Sequence, residues 1–60
     1  YNLQAMKTMI LQKFEYRIYD HTSQNILANK IPTLEKAEEI LRILKLDFPD
    51  DDMEIERYTA

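Results

Sequence analysis

Asp20 followed directly by His21, the only histidine, is the pairing in this chain best suited to chemistry. A carboxylate beside an imidazole can orient a general base near neutral pH. No partner nucleophile is specified, however, and side chains adjacent in an extended segment point apart. The dipeptide also stands where the chain must turn, a position that favours Asp for hydrogen bonds to nearby backbone. Asp20 therefore reads as a turn former, and no catalytic residue is assigned.

Asp47, Asp50, Asp51, Asp52 and Glu54 could gather ligands for a hard cation. The calcium-loop pattern of alternating acids, a glycine and a closing glutamate is missing, and the chain has no glycine for the sharp turn. With Cys 0 and His 1, a structural zinc site is out of reach as well. The run reads as a solvated connection, with no metal or cofactor implied. Joined by Glu35, Glu38, Glu39 and Glu56, the same acids could imitate phosphate spacing and occupy the groove of a DNA-binding partner, but a net charge of −3 is modest for that role.

Lys13, Arg17 and Tyr19 resemble in kind the basic and aromatic platform on which single-stranded nucleic acids stack. Glu15 lies between them, and Glu54 and Glu56 are available to pair with their charges across a sheet, which is the plainer reading. Tyrosines are the remaining signal, since an apolar ring with a polar tip suits a partly wet contact. Tyr16 reads as core, whereas Tyr19 and Tyr58 suit either a core rim or a contact.

The elements that position these residues follow from a change of period at Ile31-Pro32-Thr33. Upstream, charged Lys13, Glu15 and Arg17 alternate with Phe14, Tyr16 and Ile18, the pattern of a half-buried strand. This strand is expected over about 9–20, with a bulge near Gln12 to reconcile the apolar run Met9-Ile10-Leu11 with Phe14. His21 to Gln24 make a hairpin loop, and a second strand covers about 25–31, ended by Pro32, which cannot donate to a ladder. Thr33 is a good N-cap for a helix over about 34–46. At ~100° per residue, Leu34, Ala37, Ile40, Leu41, Ile43 and Leu44 fill roughly half its circumference. Leu46 lies off that arc. Glu35, Glu38 and Glu39 precede Arg42 and Lys45, which complements the helix dipole and offers Glu38 and Arg42 as an i,i+4 pair. Phe48-Pro49 stops the helix, and Met53 to Tyr58 form a last strand.

The expected fold is a single α+β domain over 1–60: β-β-α-β, a three-stranded antiparallel sheet of order 2-1-3 with one helix on one face. Tyr1 to Ala5 suit an added or processing remnant as well as native chain. One helix covers one side, so Lys13, Glu15, Arg17, Tyr19, Glu54, Glu56 and Tyr58 belong to the uncovered side, and two strand edges stay open.

Composition supports a folded chain without a membrane span: 45% hydrophobic and 32% charged residues, with no apolar run near the ~20 residues needed to cross a bilayer. Lack of cysteine fits a cytoplasmic location. A chain of 60 residues without staples gains stability from covering its open side. The functional expectation is thus a non-enzymatic protein–protein interaction or regulatory module that self-associates, most simply as a homodimer. Its contact candidates are Arg17, Tyr19, Tyr58 and Lys13. The alternatives are a nucleic-acid-associated regulator using the open face and an acidic inhibitor that mimics nucleic acid.

Overall fold

The computed structural model of the chain describes residues 13–60. Among these residues, three strands, β1 (Phe14–Asp20), β2 (Asn25–Ile31) and β3 (Met53–Thr59), and one helix, α1 (Leu34–Asp47), follow in the order β1-β2-α1-β3. The sheet is antiparallel with spatial order β2-β1-β3, as the sequence predicts. The expected strand residues Met9 to Gln12, the expected bulge at Gln12 and the segment Tyr1 to Ala5 lie outside the described residues. Lys13 precedes the first strand, and β3 and α1 each run one residue further than expected.

Register decides which side chains share a face. β1 pairs with β3 without interruption from Phe14 opposite Thr59 to Asp20 opposite Met53. Against β2 the pairing slips twice. Between Tyr19–Ile26 and Ile18–Ala28, β1 advances one residue and β2 two; between Ile18–Ala28 and Tyr16–Ile31, β1 advances two and β2 three. Each slip is a bulge in β2. Lys30, within the second, has φ 54°, a left-handed conformation that a side chain beyond Cα disfavours. Gln24 closes the hairpin at φ 62° and donates its N–H to the Asp20 carbonyl at 2.7 Å.

Thr33 caps the helix as expected, in an extended conformation (φ −138°, ψ 155°), with its Oγ1 accepting from the Lys36 N–H at 3.1 Å. At the other end Phe48 donates its N–H to the Leu44 carbonyl at 2.9 Å before Pro49 diverts the chain. Ala37, fully buried, lets the helix approach the sheet over Ile18, Ile31 and Met53. Tyr16, Leu27, Ala28, Ile40, Leu41, Leu44 and Ile55 pack around that centre.

The apolar stripe of α1 is narrower than its sequence suggests. Leu34 is 47% and Ile43 56% exposed; Ile43 lies more than a quarter turn from Ala37, and among the described residues no second layer stands on that side. Leu46 is 82% exposed, and Phe48 does not cover it. The alternation sets Phe14 inward, but it is 44% exposed: it lies beyond Tyr16–Ile31, the last β1–β2 pair, and among the described residues the Arg57 guanidinium stands over its ring, at 4.5 Å. On the helix the ion pair joins Lys36 to Glu39 at 2.9 Å, which holds the Glu39 carboxyl below its ordinary range; the expected Glu38–Arg42 pair is absent among the described residues.

Candidate interaction surface

On the side of the sheet away from α1, the β1–β3 register sets Glu15 opposite Tyr58, Arg17 opposite Glu56 and Tyr19 opposite Glu54. These are the residues the alternation assigns to the uncovered side, and the structure brings Arg17 and Tyr58 together. Arg17 donates from Nε to Glu56 Oε1 at 2.7 Å, and its guanidinium lies 5.2 Å from the centre of the Tyr58 ring. Both partners of the ion pair are more than a third exposed or nearly so, so water screens it and its contribution is well under ~1 kcal/mol. Lys13, exposed at the end of the row, accepts the Ala60 N–H on its carbonyl at 3.0 Å.

Tyr58 does more than line the face. From β3 its side chain reaches over β1, donates its hydroxyl to Glu15 Oε1 at 3.2 Å and accepts the Lys30 N–H of β2 at 3.2 Å. The bulge has turned that N–H out of the ladder, and an unpaired backbone donor is costly where water is displaced. One tyrosine therefore links all three strands.

At the opposite end of the row, Tyr19 and His21 meet edge to face with ring centres 4.8 Å apart. His21 Nε2 lies 2.6 Å from Glu54 Oε1. That contact, and the charges of Glu54, Asp52 and Glu56, raise the imidazole pKa above its ordinary 6.5 against the opposing effect of burial. The sequence offered Asp20 as the neighbour of His21, but the two side chains diverge. Asp20 is 1% exposed and accepts from the Thr22 N–H and the Ser23 hydroxyl, each at 2.9 Å. Across from it stands the Asp51 carboxyl. The nearby Asp51 carboxyl lowers the Asp20 pKa, helped by Ser23 and Thr22, and the Asp51 pKa is itself raised by Asp20 and by burial.

The hairpin is tied to the connection after α1 by two further bonds: His21 N–H to the Asp52 carbonyl at 2.8 Å, and Asp52 N–H to Thr22 Oγ1 at 2.9 Å. Asp51 and Asp52 are thus partly structural rather than a wholly solvated run. No sequence signal marks the His21–Glu54 or Asp20–Asp51 contacts; they become visible only once the register of β1 and β3 is known.

Among the described residues, no cluster of His, Cys, Asp or Glu is arranged to hold a metal ion, and no helix is long and apolar enough to cross a membrane. Compared with protein-family models, curated proteins and solved structures, the chain matches none.

Proposed function

We propose that this chain is a small, non-enzymatic protein–protein interaction module that self-associates through the uncovered face of its sheet or through one of the free strand edges. The observation that carries this reading is architectural: one helix shelters one face of a three-stranded sheet, and the other face and both outer edges have no covering layer among the described residues. A domain of 60 residues without disulfides gains most from burying such a surface.

The titratable groups that could do chemistry support a structural role. Asp20 is committed to its turn and His21 to Glu54. The contact residues on the face are Arg17, Tyr19, Tyr58 and Lys13. Arg17 is already answered by Glu56, so a phosphate would have to compete with that carboxylate, which favours a protein partner over nucleic acid. A cytoplasmic setting suits a chain without cysteine.

Sedimentation of the full chain across a dilution series tests the proposal. A dimer at micromolar concentration, with a melting temperature that falls on dilution, is the expected result. A monomer at every concentration, with a melting temperature that does not change, overturns it.

A further inference from the structure

The two outer edges of the sheet are not equivalent. β2 carries two bulges, has Lys30 in a left-handed conformation and runs straight into Pro32. All three interrupt the row of backbone groups that a further strand would need. β3 has seven residues in unbroken register with β1 and contains neither bulge nor proline.

Two bonds show which of its backbone groups point outward. His21 N–H donates to the Asp52 carbonyl and Ala60 N–H to the Lys13 carbonyl, one at each end of the β1–β3 ladder. Bonding in an antiparallel pair alternates residue by residue. Glu54, Glu56 and Tyr58 therefore direct their N–H and C=O toward β1, whereas Met53, Ile55, Arg57 and Thr59 direct theirs away from it. Among the described residues no strand meets these outward groups.

We infer that this edge receives β3 of a second copy, antiparallel about a two-fold axis at Glu56, so that two sheets become one of six strands. The inference rests on the self-association proposed above and assigns its site. Self-complementarity selects the register. With the axis at Glu56, Met53 of each copy stands opposite Thr59 of the other and Ile55 opposite Arg57, so every outward residue of both strands finds an outward residue. An axis at Ile55 or Arg57 leaves one such residue over on each strand.

Charge points to the same axis. Centring on Ile55 sets Glu54 against Glu56 twice, and centring on Arg57 sets two guanidinium groups face to face. Centring on Glu56 opposes only the two Glu56 carboxylates, each held by its own Arg17 at 2.7 Å. The row across the join is then Arg17, Glu56, Glu56, Arg17, with no net charge, and Glu54 faces Tyr58 on either side of it.

The test uses the full chain, whose lack of cysteine gives a clean background. In Glu56→Cys the two thiols fall on a non-hydrogen-bonded pair with Cα atoms ~4.5 Å apart, within disulfide reach. In Glu54→Cys the equivalent pair is separated by four residues along the strand, ~14 Å, and out of reach. Mild oxidation is expected to crosslink the first variant and leave the second largely reduced. Arg57→Pro removes an outward N–H and no bond to β1, so it should weaken the dimer about tenfold or more, whereas Arg57→Ala keeps the N–H and should not.

Equal crosslinking of the two cysteine variants overturns the register. A dimer lost in Tyr19→Glu but kept in Arg57→Pro moves the contact to the open face, so the edge fails while self-association stands. A full chain that is monomeric at every concentration overturns both proposals.

Discussion

Tyr58→Phe removes one oxygen atom and with it the link between the three strands. The hydroxyl makes two bonds, from the Lys30 N–H and to Glu15, both at 3.2 Å. Both are longer than the usual optimum for their type. Lys30 is exposed, so water recovers part of what is lost. Each bond then contributes toward the low end of the usual range, and together they amount to about 1 kcal/mol. The ring itself stays 5.2 Å from the Arg17 guanidinium, so the cation–π contact survives the substitution. For a domain of this size, 1 kcal/mol lowers the melting temperature by about 4–8 °C. Thermal unfolding followed by circular dichroism reads this directly, at one fixed concentration because association adds its own stabilisation. Hydrogen exchange adds a local readout, since the Lys30 amide should lose protection while that of Ile18, at the sheet centre, should change only as global stability does. A melting temperature within ~1 °C of the parent, with Lys30 exchange unchanged, would refute the claim that this hydroxyl holds the bulge.

Two other perturbations probe separate parts of the fold. His21 has a raised pKa in the folded chain, so its contribution is complete below its ordinary 6.5 and disappears as pH rises through the raised value. Denaturation midpoints compared at pH 6 and pH 8.5 should show this loss in the parent and a flatter profile in Glu54→Gln; parallel profiles would mean that Glu54 does not set the imidazole pKa. Ile18 is fully buried, and Ile18→Ala should cost about 2–4 kcal/mol, a large part of the roughly 3–9 kcal/mol available to a chain of 60 residues. Urea unfolding measures it, and a cost below about 1 kcal/mol would place the core elsewhere.

Much of the architecture was legible because several local signals agree at single residues. Thr33 follows a proline and begins a helical period, and it does cap the helix. The alternation of Glu15, Arg17 and Tyr19 with Tyr16 and Ile18 predicted which side chains share a face, and the register with β3 bears this out. The slips in β2 were hidden for a physical reason. Ile26, Leu27 and Ala28 are consecutive small or apolar residues, so a residue can be inserted there without breaking any pattern that a period would reveal. A glycine often marks a left-handed position, and this chain has none, so Lys30 gave no warning. The half-turn apolar arc drawn for α1 overstated what three strands can cover, which is why Leu34 and Ile43 remain in contact with water. The contacts of His21 and Asp20 depend on partners 33 and 31 positions away, and no spacing rule along one chain reports such pairs.

A side chain that begins in one outer strand and ends on the backbone of the other makes the margins of the sheet mechanically dependent. Peeling β3 from β1 would withdraw the Tyr58 hydroxyl and strip the Lys30 amide of its acceptor on the far margin. The three strands should accordingly loosen together as one cooperative block, with no independently fraying border on either flank.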